Sequence, residues 1–465
     1  MNVNNLDKLI ETKMRSAGVA DPTIAAFLKA VHLVMAGQSG LLPEQSIAPI
    51  ASLPRLDEVQ NKTNTDLLRE LAIIKLNGGL GTSMGLDRVK SLIRVKGEDT
   101  FLDFIARQIL HLRQSRSEPA FYLMDSFTTQ KDTLDYLGKY PGLGGGGQLD
   151  FLQNMVPKID VKTFEPVSWP EDPELEWCPP GHGDLYPALL GSGLLDQLLA
   201  RGVKYLFVSN SDNLGATVDL NLLRYFAAGG LSFLMEVAQR TGSDRKGGHL
   251  ARRRSDGRLV LRESAQCPKE DETAFQDIER HRYFNTNNLW VRLDHLKMEL
   301  DRCGGVLPLA LIKNLKTLDP RQPASPKVLQ LESAMGAAIE CFAQAGAIVV
   351  PRARFSPVKT TADLLALRSD LYRITEDSRL VLEEARQGQP TLIDLDPQYY
   401  KLLADFENCF AAGVPSLLEC DSFKVSGKVH FAAGVVCRNK VEFLNPLAEA
   451  KTVPIGNFTN VQIQF

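Results

Sequence analysis

The chain has 465 residues, of which 44% are hydrophobic and 23% charged, a composition typical of a globular protein with about two or three domains. Its net charge of −3 gives no reason to expect a nucleic-acid partner. The seven cysteines form no CxxC motif, and no apolar stretch is long enough to span a bilayer, so we expect free thiols, a cytoplasmic protein and no membrane partner.

Residues 1–60 are predicted to form a helical N-terminal segment. Asp21 provides a cap, and Pro22 follows at the first helical position. Apolar residues then recur at helical spacing, namely Ile24, Phe27, Leu28, Val31, Val34 and Met35. Three prolines between Leu42 and Leu56 interrupt the pattern and indicate a connector to the main body of the chain.

A glycine-rich stretch follows the first predicted strand, Leu71 to Ile74. The sequence continues with Asn77, Gly78 and Gly79, and further glycines lie at positions 81 and 85. A strand that opens into glycines exposes backbone N–H groups, which bind phosphate, and Lys90 follows as a point charge. The spacing is neither a Walker loop nor GxGxxG, so an ordinary glycine-rich turn remains an alternative.

Further apolar runs predict a layered α/β fold. Strands are predicted at residues 120–124, 205–208 and 231–237, with a helix at residues 101–112. Alternation of strands and helices indicates a largely parallel sheet with helices on its faces. Ligands bind such sheets at the carboxyl ends of the strands, where polar clusters follow the runs at 120–124 and 205–208.

Two polar stretches are candidates for ligand binding. His182 lies between Gly181 and Gly183 after two prolines, and a histidine held there can donate to a phosphate or a sugar hydroxyl; a structural turn is the alternative. Asp212 closes the predicted strand at 205–208. A lone carboxylate at that place suits one Mg²⁺ completed by phosphates and water, whereas an Asx turn or a helix cap would also explain it.

Two later stretches carry amides and positive charge. Asn285, Asn287 and Asn288 form a cluster suited to sugar hydroxyls, although asparagine clusters also make turns. Lys359 follows Pro357 in a basic segment and would lie across an anionic site, with a plain surface charge as the alternative.

Residues 376–465 are predicted to form a small C-terminal unit. A helical pattern runs through Leu380, Val381 and Ala385. Short apolar pairs separated by glycine or asparagine then indicate strands and tight turns between Phe423 and Phe443. We expect a short left-handed β-helix-like unit, a small β-solenoid, without chemistry of its own.

Six stretches together resemble the eukaryotic family of UTP–glucose-1-phosphate uridylyltransferases. They occur in the family's order and spacing between residues 71 and 372, and they are KLNGGLGTSMG from Lys75, PPGHGD from Pro179, FVSNSDNLGATVDL from Phe207, KGGHL from Lys246, FNTNNLW from Phe284 and PRARFSPVK from Pro351. The resemblance implies a Rossmann-like nucleotidyltransferase domain at residues 61–375 with a mixed, mostly parallel sheet.

The resemblance also implies a reaction and its residues. UTP and glucose 1-phosphate would give UDP-glucose and pyrophosphate, reversibly and with Mg²⁺. The implied nucleotide-binding residues are Leu76, Asn77, Gly78, Gly79, Lys90, Gln153, Gly181, Asn210 and Asp212, and Asp212 would hold the metal. The implied sugar-phosphate-binding residues are His182, Asn285, Asn287 and Lys359. Lys90, Lys359 and His182 are the implied catalytic residues.

Two departures from the family pattern stand out. The family usually places a basic residue, a glycine and a proline before the lysine of the loop, whereas this chain has Leu86, Asp87, Arg88 and Val89 before Lys90. Asp87 would weaken phosphate binding and Arg88 would compensate. The C-terminal unit is also shorter than in the eukaryotic enzymes, so their oligomerisation through it does not carry over, and homo-oligomerisation is left open.

Three other functions remain as alternatives at this stage. A uridylyltransferase for another sugar 1-phosphate, of the galactose or N-acetylglucosamine type, would have a similar pocket. A catalytically inactive regulator that binds UDP-sugars is consistent with Asp87, although the retention of Lys90 and Lys359 argues against it. An enzyme that consumes a UDP-sugar usually has paired aspartates, where this chain has Ser211, Asp212 and Asn213.

Overall fold

The computed structural model describes residues 3–60, 65–86, 88–114, 117–144 and 147–465. The α-helices in this part of the chain are α1 Val3–Ser16, α2 Asp21–Met35, α3 Phe101–Leu112, α4 Gln130–Leu137, α5 Leu185–Gly191, α6 Leu194–Ala200, α7 Leu220–Ala228, α8 Glu272–Gln276, α9 Leu293–Arg302, α10 Thr361–Arg368, α11 Pro397–Tyr400 and α12 Leu403–Cys409. None of them is both long enough and apolar enough to cross a membrane.

The strands are short and numerous. They are β1 Ile47–Ala48, β2 Leu71–Leu76, β3 Arg94–Lys96, β4 Asp99–Thr100, β5 Ala120–Asp125, β6 Asp150–Leu152, β7 Val156–Pro157, β8 Ile159–Asp160, β9 Trp177–Cys178, β10 Tyr205–Asn210, β11 Phe233–Gln239, β12 His249–Arg253, β13 Leu259–Arg262, β14 Tyr283–Arg292, β15 Leu311–Thr317, β16 Lys327–Ser333, β17 Ala345–Val349, β18 Tyr372–Ile374, β19 Leu380–Leu382, β20 Leu392–Leu395, β21 Ser416–Ser426, β22 Val429–Phe431, β23 Val435–Leu444, β24 Lys451–Val453 and β25 Gly456–Gln464.

The central sheet confirms the predicted α/β architecture. Strands β6, β5, β2 and β10 lie side by side and run parallel. Strand β14 runs antiparallel to β10 on one side and to β11 on the other, and β11 pairs in parallel with β17. The sheet is therefore mixed but mainly parallel. The carboxyl ends of β2, β5, β6 and β10 meet at one edge, which is where a parallel sheet receives its ligands.

Burial on both faces explains why the predicted strands were continuous apolar runs. On one face Ile73 and Phe207 join a core with helices α3 and α7, and on the other Ile74 and Val208 join a core with helices α5 and α6. A strand covered on both faces needs apolar side chains in both alternating positions. The four strands predicted from these runs are confirmed as β2, β5, β10 and β11.

The N-terminal helix predicted after Asp21 is confirmed as α2, with one correction at its start. Ala20 is the cap residue and Asp21 is already helical, so its carboxylate acts as an acidic residue of the first turn. Pro22 occupies the start of the helix as expected. The apolar face of α2 packs with α1 and with strands of the central region, through a cluster that includes Val156, Ile159, Leu311 and Leu331.

The helical pattern predicted around Leu380 is wrong, because these residues form a hairpin. Strand β18 pairs antiparallel with β19, and Ser378 turns the chain between them with φ of +59°. The run Leu380-Val381-Leu382 favours a strand because its middle residue is β-branched. Helices in this part of the chain lie later, at α11 and α12.

The C-terminal strands stack in parallel. Strands β20, β21, β23 and β25 form one parallel sheet, and β22 and β24 form a second. The buried side chains of Phe423, Phe431 and Phe443 belong to the same hydrophobic cluster as Ile73 of the central sheet. The C-terminal strands therefore share a core with the main body. The domain boundaries at residues 60/61 and 375/376 stay a prediction.

Candidate active site

The loop after β2 begins with Asn77, whose side chain fixes the loop to the neighbouring strand. Asn77 Nδ2 donates to Asp125 Oδ1 at 2.7 Å and to Thr133 Oγ1 at 3.0 Å, and its backbone N–H donates to the Met124 carbonyl at 2.8 Å. The residue is buried. The side-chain NH2 group of this predicted nucleotide-binding residue is thus engaged within the protein. Leu76 precedes it in register with Asn210 of β10 and Met124 of β5.

Gly78 and Gln153 lie in direct contact. A Cβ atom on Gly78 would be 2.6 Å from Gln153 Oε1, so a side chain at position 78 would displace the glutamine amide. Gln153 Nε2 donates to the Gly181 carbonyl at 3.0 Å, and the Gln153 backbone N–H donates to the Asp125 carbonyl. Gly181 has φ of +79°, which favours glycine. The fold thus brings these three predicted residues together.

Lys90 and Asp212 form an ion pair at the end of the central strands. Lys90 Nζ lies 2.5 Å from Asp212 Oδ2, and the two side chains are 18% and 19% exposed. The backbone N–H of Lys90 donates to the Gly79 carbonyl at 3.2 Å, which closes the glycine loop. The loop and the end of β10 therefore share one charged centre. Asp87, the departure noted in the sequence, lies outside the described residues.

Within the described residues, Asp212 has a free carboxylate oxygen for a metal ion, but few other protein ligands surround it. Its Oδ1 atom is buried and has no hydrogen-bond partner among the described residues. In the same part of the chain there is no cluster of three or more His, Cys, Asp or Glu side chains arranged for a metal. A cation held by Asp212 would therefore take its remaining ligands from substrate oxygens and water.

His182 has a defined tautomer. The backbone N–H of Met335 donates to His182 Nδ1 at 2.9 Å, which leaves Nε2 as the protonated, donating nitrogen. Tyr186 anchors the same turn by donating its hydroxyl to the Met335 carbonyl. Burial lowers the pKa of His182 to about 4, so the ring is neutral at neutral pH and offers a neutral N–H donor.

Asn285 and Asn287 lie at a bulge in β14. The pairing register with β11 shifts between Glu236 and Val237, and Asn287 adopts φ of +59°. Asn285 Nδ2 donates to Asn287 Oδ1 at 2.7 Å, and Asn285 Oδ1 accepts from the Asn287 backbone N–H at 2.9 Å. The two amides orient each other and remain half-buried.

The segment that carries Lys359 is tied to the end of β10. The backbone N–H of Val358 donates to the Asp212 carbonyl at 3.3 Å. Lys359 is exposed, and its ammonium group lies 5.6 Å from the centre of the Phe355 ring. Asp212 therefore contacts Lys90 through its side chain and the Lys359 segment through its backbone.

Sequence reasoning missed several buried polar residues under the site. Lys75 is buried and donates to Ser209 Oγ at 2.8 Å and to the Ala216 carbonyl at 2.6 Å. Burial lowers its pKa to about 7. Asp125 is fully buried, and burial raises its pKa to about 7.

A third missed element is the pair of Glu236 and Arg354, joined by two hydrogen bonds of 2.7 Å. The sequence pattern that could have identified Lys75 and Glu236 is a single charged residue inside a largely apolar strand. These strands are LAIIKL for Lys75 and FLMEVAQ for Glu236.

The chain is similar to known proteins over most of its length. Residues 27–438 match the family model described as UTP–glucose-1-phosphate uridylyltransferase. The protein of that name from Solanum tuberosum is 41% identical over 405 residues, which cover 86% of this chain and 81% of the relative.

Solved structures of similar sequence share the fold of this chain. A mutant UDP-glucose pyrophosphorylase from Leishmania major, in complex with UDP-glucose, is 47% identical with a TM-score of 0.94 over 99% of both chains. A protein described as UDP-glucose phosphorylase, from Trypanosoma brucei, is 49% identical with a TM-score of 0.91 over 99% of this chain and 100% of that one.

Proposed function

The chain belongs to the family of UTP–glucose-1-phosphate uridylyltransferases, and we propose how its residues carry out that family's reaction. The enzyme transfers a uridylyl group from UTP to glucose 1-phosphate, giving UDP-glucose and pyrophosphate. The observation that carries the proposal for the residues is the contact of Lys90 with Asp212, because this pair lies between the glycine loop and the Lys359 segment.

The chemistry requires positioning more than covalent participation. An oxygen of glucose 1-phosphate attacks the α-phosphorus of UTP, a new P–O bond forms, and the bond to the β-phosphate oxygen breaks to release pyrophosphate. The attacking oxygen is already ionised, so no side chain has to remove a proton. Both reactants are anions, and Lys90 and Lys359 lower their mutual repulsion at the point of attack.

The base and the sugar would be recognised by different residues of the site. Gln153 offers a donor and an acceptor to the edge of uracil, next to the backbone of Gly78 and Gly181. The half-buried amides of Asn285 and Asn287 would bond glucose hydroxyls. The His182 Nε2–H would donate to the sugar phosphate, since Met335 occupies the other ring nitrogen.

A magnesium ion is proposed on Asp212. The buried Oδ1 atom of Asp212 has no hydrogen-bond partner in the described part of the chain, and the carboxylate lies beside Lys90; both observations support this assignment. When bound, a divalent cation neutralises charge on the nucleotide phosphates. Asn210 would contact the nucleotide from the end of the same strand.

Three further expectations belong to the proposal. The stacked parallel strands between β20 and β25 support a short C-terminal β-solenoid. The cytoplasmic location and any homo-oligomer stay predictions.

The reaction is tested by pyrophosphate release from each of UTP, CTP, ATP and GTP with glucose 1-phosphate and Mg²⁺. We expect UTP to be preferred by at least about tenfold in kcat/KM, because the base is read by hydrogen bonds. A second series holds UTP constant and varies the sugar among glucose, galactose and N-acetylglucosamine 1-phosphates. A preference for another sugar would replace glucose, and the absence of turnover with every pair would favour a UDP-sugar-binding regulator.

A further inference from the structure

Arg354 begins the segment that ends at Lys359, and its guanidinium group is held in one orientation. Its Nε and Nη2 atoms donate to Glu236 Oε2 and Oε1, both at 2.7 Å, and Nη2 also donates to the Thr217 carbonyl at 2.9 Å. Glu236 is fully buried and Arg354 is 8% exposed. A bidentate pair of this kind fixes direction as well as distance.

The backbone of Arg354 is fastened to the same centre. Its carbonyl accepts from Asn213 Nδ2 at 3.1 Å and from Asn288 Nδ2 at 3.2 Å. Asn288 Nδ2 also donates to Glu236 Oε2 at 3.1 Å, and Trp290 Nε1 donates to Glu236 Oε1 at 2.9 Å. The centre thus joins β11, β14 and the residue that follows Asp212.

Further contacts carry this fixation along the segment to Lys359. Asn213 Oδ1 accepts from the Ser356 backbone N–H at 2.9 Å, and Pro357 forms a bridge with Asn213. The Val358 N–H donates to the Asp212 carbonyl, and the Lys359 N–H donates to Asp363 Oδ2 at 2.8 Å. The ring of Phe355, which lies under the Lys359 ammonium group, packs edge-on against Phe284 at 4.8 Å between ring centres.

We propose that Arg354 is a positioning residue that holds Lys359 and Asp212 in a fixed mutual register, through Glu236 and Asn213. The inference rests on the proposed catalytic role of Lys359. A buried ion pair adds little net stability over apolar side chains of the same volume, so its use here is geometric. An exposed lysine depends on its backbone for position, and a misplaced charge lowers transition-state stabilisation more than substrate binding.

The primary test is Arg354→Lys, which keeps the charge and removes the two-pronged contact. We expect kcat to fall by about tenfold or more while KM for UTP and for glucose 1-phosphate changes by less than about twofold. Arg107→Lys is the matched control, because Arg107 makes a similar two-pronged contact with Asp99 and lies on α3, outside the segment from Arg354 to Lys359. Thermal unfolding of both variants checks that they are folded.

A double variant separates positioning from general damage. If Arg354 acts through Lys359, then Arg354→Lys combined with Lys359→Ala is no slower than Lys359→Ala alone. Losses that multiply would overturn the proposal, as would an Arg354→Lys enzyme with unchanged kcat. If Lys359→Ala alone keeps full activity, the proposed role of Lys359 fails instead, which distinguishes the two failures.

Asn213→Ala provides a second route if Arg354→Lys does not fold. It leaves the buried ion pair intact and removes the links to the Arg354 carbonyl and the Ser356 N–H. We expect the same fall in kcat at nearly constant KM. This fall should not occur when Asn213→Ala is combined with Lys359→Ala. Unchanged kcat in this folded variant would overturn the proposed route through Asn213.

Discussion

Lys90 Nζ lies 2.5 Å from Asp212 Oδ2, so the cation of the glycine loop and the carboxylate at the end of β10 neutralise each other before any substrate arrives. The contact places the two groups where nucleotide phosphates and a divalent cation would meet. On the proposed assignment, phosphate oxygens would compete with Asp212 for Lys90, and the cation would compete with Lys90 for Asp212. Each of the two charged groups would then exchange its present partner for a new one of opposite charge, which would limit the cost of desolvating either group.

Asp212→Asn should remove the proposed metal ligand. We expect turnover to fall by about a hundredfold or more, and the Mg²⁺ concentration for half-maximal rate to rise, because a neutral amide binds Mg²⁺ weakly. The measurement is pyrophosphate release across a Mg²⁺ titration. Asp405→Asn, on the exposed face of α12, is the control and should leave both quantities unchanged. An unaltered Mg²⁺ dependence in Asp212→Asn would remove Asp212 as the ligand.

Lys359→Ala should slow the chemical step. If Lys359 lies near the α-phosphate as proposed, the loss of its charge should lower kcat by about a hundredfold or more, with smaller effects on KM. Single-turnover measurements with saturating UTP report the step directly. The exposed Lys401 supplies the control substitution, Lys401→Ala. A wild-type rate in Lys359→Ala would exclude the residue from the mechanism.

Sequence patterns predicted a shared edge for the candidate site because several of its residues follow strands. The apolar runs ended by Leu76 and Asn210 were recognisable, and parallel strands bring such ends to one edge. The pairing of Glu236 with Arg354 was not predictable, because the two residues are 118 positions apart and only the folded sheet brings them together. The hydrogen bond from the Asn77 side chain to Asp125 was not predictable for the same reason, since Asp125 lies on the neighbouring strand.

The hairpin of β18 and β19 shows a limit of predicting structure from short sequence patterns. The apolar residues Leu380, Val381 and Ala385 have a spacing that is compatible with a helix. Three apolar positions are too few, however, to distinguish a helix from a strand. The turn is decided by Ser378 at φ of +59°, a conformation that few side chains adopt and that composition does not indicate.

Gly78→Ala should weaken base recognition without touching the charged centre. A Cβ atom there would lie 2.6 Å from Gln153 Oε1, and the glutamine amide has to move. We expect KM for UTP to rise by about tenfold and the preference for UTP over CTP to shrink, because this amide is proposed to read the base edge. Competition assays between the two nucleotides measure the preference.

Two further variants make this prediction specific. Gly242→Ala is the matched control, since a Cβ atom at that position meets nothing within 4 Å. Gln153→Glu should also weaken the selection of UTP, while Gln398→Glu at an exposed position of α11 should not. Selectivity that survives in both Gly78→Ala and Gln153→Glu would show that other groups read the base.

Asp125 predicts how stability depends on pH. Burial raises its pKa from the ordinary value of 3.8 to about 7, and its Oδ2 atom has no hydrogen-bond partner among the described residues. Between these two values the folded protein keeps the proton and the unfolded chain releases it. The contribution of this group to stability is therefore full below pH 3.8 and is lost as pH rises through 7.

Asp125→Asn removes this titration and keeps an oxygen that can accept from Asn77. The free energy of unfolding of the variant, relative to wild type, should increase as pH rises from 3.8 to about 7 and then level off. Urea unfolding at several pH values measures the difference, with Asp405→Asn as an exposed control that should show no such trend. A difference that is constant with pH would mean that Asp125 is ionised in the folded protein, supported by its contacts with Asn77, Thr129 and Thr133.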